Sequence, residues 1–266
     1  MAGMNADRTA LSVVIPCLNE AARLPLLLAD LQRWQQSIEI TIVDGGSSDG
    51  SQLIAAIAGS HFIPEHPPSR GRQLAAGAHH ALQQTNCDWL FFLHADSRLP
   101  NNWRSIVQDR ISQADAQRFA WFFDLRIDPS TPARRLMETV VAVRSRWCQR
   151  PYGDQGLLLH RTLYERSGGY EPLPLMEDLD LVQRLSQLTR LRPLDQSIIT
   201  DGRRWQRDGV LRRGLVNTWL RYRWQRGESP ARLAAEYYGK PLDTSQLAYQ
   251  KPQRWPFGSN SQPRRS

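Results

Sequence analysis

The stretch Asp88-Trp89-Leu90-Phe91-Phe92-Leu93-His94-Ala95-Asp96 decides how this chain of 266 residues folds. Trp89 to Leu93 form an unbroken apolar run, long enough for a strand buried on both faces and too short for an ordinary helix. The run stops at His94-Ala95-Asp96 and continues as Ser97-Arg98-Leu99-Pro100. Open α/β sheets place ligands beyond the carboxyl ends of their strands. Asp96, an acid at such a tip, is therefore the first candidate for chemistry.

Upstream, the same grammar repeats. Leu11 to Ile15 reads as a buried strand closed by Pro16, and Glu39 to Val43 as a second. Between them, residues 21–35 carry a helical stripe of Leu24, Leu27, Leu28, Leu31 and Trp34. The second strand runs into Asp44-Gly45-Gly46-Ser47-Ser48-Asp49-Gly50, a loop of turn formers whose Ser48 or Asp49 can cap a helix to about residue 58. Ser60 to Pro64 is a short third strand, and residues 71–84 a helix with the small residues Ala75, Ala76, Gly77 and Ala78. Strand and helix alternating with short connections predict a parallel sheet with right-handed crossovers. Downstream the regularity weakens. Helices are expected over 101–113 and 131–147, the latter with Leu136, Val140, Val143 and Trp147 on one side. Strands are expected over 119–125 and 156–160, and further helices over 163–169, from Glu177 to about 189, and over 210–225.

The composition, 41% apolar and 23% charged, is that of a soluble globular protein. No apolar run reaches the ~20 residues of a membrane span, and the first nine residues lack a signal-peptide pattern. Cys17, Cys87 and Cys148 are odd in number and widely spaced, which fits reduced thiols in a cytoplasm better than a disulfide framework. The net charge of +8 is unevenly spread. Residues 1–202 hold 20 arginines against 22 acids, whereas residues 203–266 hold 14 basic residues against 4 acids. We read 1–202 as the main domain, 203–249 as a helical basic extension on or near the site, and 250–266, rich in Pro, Arg, Ser and Gln, as a frayed end.

Three acidic tips remain: Asp44, Asp96 and Glu177-Asp178. A parallel sheet gathers the first two at one edge, and the third joins them if the second half folds back. Clustered carboxylates repel and call for a cation, such as a divalent ion bound to substrate phosphates through one or two carboxylates. Each acid taken singly is equally well a helix cap or a turn residue.

Four segments together, Ser12-Val13-Val14-Ile15-Pro16-Cys17-Leu18-Asn19-Glu20, Val43-Asp44-Gly45-Gly46-Ser47-Ser48-Asp49-Gly50, Leu93-His94-Ala95-Asp96 and Met176-Glu177-Asp178, resemble glycosyltransferase family 2 with its GT-A fold. Gly71-Arg72-Gln73-Leu74-Ala75-Ala76-Gly77, Tyr152-Gly153-Asp154-Gln155-Gly156 and Arg203-Arg204-Trp205 resemble more narrowly its arsenosugar-biosynthesis, or radical-SAM/selenodomain-associated, branch. The resemblance implies a Rossmann-like α/β fold, mostly parallel and flanked by helices. It implies an inverting enzyme taking a UDP- or GDP-sugar donor and an unidentified acceptor, with Mn2+ or Mg2+ as cofactor. Pro16, Asn19, Glu20 and Ala95 would line the nucleotide pocket, Asp44 would bind base or ribose, and Arg72 would sit near base or phosphates. Asp96 would hold the metal, Asp178 would be the general base, and Glu177 would orient it. Arg203, Arg204 and Trp205 would bind phosphate and stack on a sugar, unless they are a surface run beside a packing Trp. Gln155, with Asp154, is either a substrate contact or part of a plain turn.

Two positions depart from the family pattern. His94 stands where its motif carries a first Asp, and Gly45 where it carries a second. His94 is either a metal ligand suited to transition ions or a ribose contact. Rival readings are a nucleotidyltransferase, which would want a glycine-rich, arginine-bearing loop after the first strand, and a non-enzymatic protein using its basic tail on nucleic acid or an anionic membrane. The acidic tips argue against nucleic acid. For the tail, docking on the catalytic domain, pairing in a homodimer and peripheral membrane contact all remain open.

Overall fold

The computed structural model describes residues 11–34, 38–85, 87–203 and 210–239. β1 (Leu11–Cys17), β2 (Ile38–Asp44), β3 (His61–Pro64) and β4 (Trp89–Phe92) pair in parallel in the order β3-β2-β1-β4. The crossovers between them are α1 (Leu24–Leu31), α2 (Ser51–Ile57) and α3 (Arg70–Gln84). The chain lays β2 and β3 on one side of β1 and β4 on the other. That reversal of direction opens a crevice at the carboxyl ends of β1 and β4.

β4 is buried on both faces, as its unbroken apolar run requires. Trp89 and Phe91 enter a core with α1 and with α4 (Trp103–Ile111). Leu90 and Phe92 enter a second core with α3, α6 (Arg161–Arg166) and α7 (Glu177–Leu188). Alternate side chains of one strand thus hold the two helical layers together.

The second half departs from the parallel expectation. The full order is β3-β2-β1-β4-β7-β6-β8-β5, with β7 (Leu157–His160) antiparallel to both β4 and β6 (Ala120–Asp128). β8 (Leu191–Asp201) runs parallel to β6, and the short β5 (Ser97–Arg98) closes the far edge antiparallel to β8. The sequence reading has no counterpart to β8. Pro193 lies inside it, Asp195 sits at φ 57°, and its register against β6 shifts between Phe122 and Asp124. A proline and a left-handed residue break the alternation by which strands are recognised.

α5 (Pro132–Arg146) packs against β6, while α8 (Val210–Gln225) and α9 (Pro230–Tyr238) return toward the crevice. Leu220, Trp224 and Leu233 share a small core there with Met176 and Leu179. The expected frayed end from residue 250 lies outside the described residues.

The small residues of α3 matter for how closely that helix approaches the sheet. A Cβ on Gly77 would stand 2.4 Å from Val14 Cγ1 and 2.9 Å from Val43 Cγ2. Gly77→Ala should therefore destabilise the protein by about 1–3 kcal/mol through overpacking, despite alanine's better helix propensity. A lower urea midpoint at unchanged slope would register it; an unchanged or raised midpoint would contradict it.

Candidate active site

The ends of β1 and β4, the start of α3, the start of α7 and the returning helices α8 and α9 enclose a pocket of about 1010 Å3. Its β1 wall is Pro16 to Glu20, held in shape by the loop after β2. Asn19 has a left-handed backbone (φ 55°). Its N–H donates to Ser47 Oγ at 2.8 Å, and its Oδ1 accepts from the Ser48 N–H at 2.9 Å. The Glu20 N–H donates to Ser51 Oγ at 3.1 Å, and the Ala21 N–H to Asp49 Oδ2 at 2.9 Å. Asp44 accepts from the N–H groups of Gly46 and Ser47 at 2.9 and 2.8 Å. It is a buried organiser of its own loop and does not line the pocket.

Arg70, at the first turn of α3, holds the centre. Its Nε lies 3.2 Å from Glu177 Oε1 and its guanidinium 3.9 Å from Asp178 Oδ2. Burial works against its charge, but the two carboxylates outweigh burial and hold the guanidinium well above its ordinary range. Asp178 begins α7, where the helix dipole favours an anion. Its Oδ2 accepts from the Gly153 N–H at 3.0 Å and its Oδ1 from the Leu179 N–H at 2.7 Å. Glu177 is buried beside it, and burial pushes its carboxyl up to about 7, with Arg70 opposing and Asp178 adding to the shift. Met176, just before this pair, adopts φ 70°, a conformation costly for a side chain of its size.

His94 and Asp96 stand at the tip of β4. An Arg70 Nη2 contacts His94 Nε2. Arg70 thus engages one of the two ring nitrogens of His94. The other ring nitrogen, Nδ1, lies 4.0 Å from Asp96 Oδ1. Among the described residues no group of three His, Cys, Asp or Glu side chains converges to hold an ion. Asp96 nevertheless lines the pocket. One carboxylate beside room for a diphosphate is a donor set that Mg2+ or Mn2+ accepts, since substrate phosphates and water complete the shell.

Of the residues singled out in the sequence, Pro16, Asn19, Glu20, His94, Ala95, Asp96, Glu177, Asp178 and Arg203 line this one pocket. The buried Glu20 pairs with the Arg203 guanidinium. Arg204 and Trp205 lie outside the described residues. Arg72 pairs with Glu65 instead and bonds the His66 carbonyl at 3.3 Å. Gln155 is fully buried: its Oε1 bonds Ser145 Oγ at 2.7 Å and its Nε2 donates to the Phe123 carbonyl at 2.9 Å. It is a brace for the Gly153 turn. The sequence reading passed over Arg70, and it named Tyr152 only within a motif; Tyr152 lines the pocket, its ring 3.6 Å from the Arg144 guanidinium carbon. The signal for Arg70 was the doubled arginine of Arg70-Gly71-Arg72.

A nucleotide-sized crevice at a switch point, with acids from β4 and α7 facing it, defines a GT-A-like α/β protein. Residues 12–169 match the profile of Glycosyl transferase family 2, and the chain belongs to that family. It is 35% identical over 111 residues to the lipopolysaccharide core biosynthesis glycosyltransferase LpsC of Rhizobium meliloti, a match spanning 40% of this chain and 38% of that protein. It is 43% identical over 67 residues to the undecaprenyl-phosphate 4-deoxy-4-formamido-L-arabinose transferase of Aeromonas hydrophila, over 22% of this chain and 21% of that one. The fold is shared with S. aureus TarS residues 1–349 (TM-score 0.58, 14% identity, 73% of this chain and 60% of that). It is shared also with the Pyrobaculum calidifontis mannosyltransferase solved with GDP-Man and Mn2+ (TM-score 0.56, 17% identity, 73% and 57%).

The raised carboxyl of Glu177 gives a signed prediction. A carboxyl that holds its proton more tightly folded than unfolded contributes stability that is complete below its unfolded value of about 4.5. That contribution is lost as pH rises through about 7. Glu177→Gln should therefore flatten the fall in stability between pH 5 and pH 8 by up to about 3 kcal/mol. Denaturant titrations of both proteins at the two pH values measure this. Parallel pH profiles would show that Glu177 is ionised without strain.

Proposed function

We propose that the chain is an inverting glycosyltransferase that moves a sugar from a nucleoside-diphosphate donor, UDP- or GDP-linked, to an acceptor hydroxyl. The observation that carries this reading is the facing of Asp96 at the β4 tip and Asp178 at the α7 start across one pocket, with Arg70 between the two elements. The donor's nucleotide lies against the β1 wall, Pro16 to Glu20, with its diphosphate toward Asp96 and Arg203. Asp178 takes the acceptor's proton as the new bond forms on the face of the sugar opposite the departing diphosphate, which inverts the anomeric centre. Two backbone N–H groups fix that carboxylate's direction. Glu177 acts by anchoring Arg70, and Arg203 stabilises the negative charge that grows on the leaving group.

Asp96 is the residue that would hold Mn2+ or Mg2+, and the ion would supply Lewis-acid neutralisation of the diphosphate. Mn2+ accompanies the nucleotide or its sugar in two proteins of the same fold, the Pyrobaculum mannosyltransferase and the glucosyl-3-phosphoglycerate synthase of Mycobacterium tuberculosis. Within the family we assign the chain to the arsenosugar-biosynthesis or radical-SAM/selenodomain-associated branch. Gly71, Tyr152 and Arg203, which belong to that branch's motifs, all stand at the pocket or pack against its walls. The three unpaired cysteines suit action in a reducing cytoplasm.

Two variants separate the roles. Asp178→Asn should lower sugar transfer by ~100-fold or more and leave the thermal shift given by UDP or GDP with Mn2+ nearly intact. Asp96→Ala should remove the Mn2+-dependent part of that shift. Wild-type transfer in Asp178→Asn would sink the base assignment, and the absence of any nucleotide shift in the wild-type protein would sink the transferase itself.

A further inference from the structure

α5 is folded inside out. Its buried stripe is Arg134, Glu138, Val141 and Ser145, spaced at i, i+4, i+7 and i+11. Three of these four are polar, and each is satisfied internally. Arg134 Nη2 donates to the Gly202 carbonyl at 3.3 Å, Glu138 accepts from the Ile127 N–H at 2.8 Å and from Arg126 at 2.9 Å, and Ser145 bonds Gln155. The helix turns its apolar stripe, Leu136, Val140, Val143 and Trp147, to the outside, with Trp147 84% exposed. Sequence periodicity alone would have sent that stripe to the core.

The neighbouring helix repeats the pattern. α8 packs on α5, Gly214 meeting Met137 closely. It exposes Leu215, Val216, Trp219 and Tyr222, the two aromatic rings stacked at 5.6 Å. Its inner side supplies Asn217, Leu220 and Arg221 to the pocket. A large apolar surface on two adjacent helices marks a binding face.

Charge selects the occupant. Glu138, buried and paired, is the sole carboxylate in the α5 and α8 sequences. The nearby acids are already committed, Asp124 and Asp195 to Arg146, Glu228 and Glu236 to Arg223. Exposed Arg135 lies on α5, and exposed Arg150 and Arg226 lie just past the ends of α5 and α8. A two-fold contact between copies would set these arginines against their counterparts. An anionic lipid surface complements both parts, taking Trp, Tyr and aliphatic side chains at the headgroup boundary and the arginines at the phosphates. Among the described residues no helix is long and apolar enough to cross a membrane, so the contact is peripheral.

We propose that the outer face of α5 and α8 docks this protein on anionic lipid, with α8 placing the pocket beside the lipid surface. The proposal does not depend on the transferase reading. The test is co-sedimentation of the full chain with phosphatidylcholine vesicles, plain or containing about one third phosphatidylglycerol. The wild-type chain should pellet with the anionic vesicles and stay in solution with the neutral ones. The pair Val140→Asp and Trp219→Asp should lower the partition coefficient tenfold or more with an unchanged melting temperature. Should that pair not fold, Trp147→Ser alone, at the most exposed of these side chains, should lower it severalfold. Wild-type protein left in solution with anionic vesicles, or variants that partition like wild type, would overturn the proposal. So would a lipid-independent dimer that the Asp variants split into monomers, which would make a second copy the occupant.

Discussion

The arrangement of this molecule's pocket depends on one ion pair, the half-buried Arg70 with the buried Glu177, reinforced by Asp178. Arg70 belongs to the regular first half of the chain and the two acids to its irregular second half. Buried charges survive only when matched, so the two halves must meet in the register that brings them together. The same guanidinium reaches His94, two residues before Asp96. One side chain thereby relates the β4 tip to the α7 start, the two places from which the chemistry is proposed to come.

Much of this was legible in the sequence, and the limits have physical causes. The central strand, the parallel first half and the acid-bearing tips follow from unbroken apolar runs ending in polar turns, because such runs have few ways to be buried. β8 was hidden because Pro193 and the left-handed Asp195 interrupt its pattern while long-range pairing with β6 sustains it. Arg70 and Arg72 are two residues apart on a helix and so point to different sides. Periodicity without a partner surface does not say which side faces the pocket. For Asp44, turn former and ligand were indistinguishable in sequence, since both place a carboxylate in a glycine-rich loop.

α5 is a different case. The sequence places Leu136, Val140, Val143 and Trp147 on one side of a helix but does not say which side is buried. Here three of the four buried residues, Arg134, Glu138 and Ser145, are polar and hydrogen-bonded, and the apolar stripe is left exposed. The exposed apolar residues of α5 and α8 lie on adjacent helices, because α8 packs on α5.

Gly71 gives the site a mechanical property. A Cβ there would stand 2.3 Å from the Leu173 carbonyl oxygen and 2.6 Å from the Leu173 nitrogen. Helix α3 and the segment leading to Glu177 therefore touch backbone to backbone, with no compressible side chain between them. The separation of Arg70 from its acids is set by a rigid stop, much as a machinist's shim sets a gap. Repacking elsewhere in the core can change how firmly the halves are pressed together while leaving the gap between them the same.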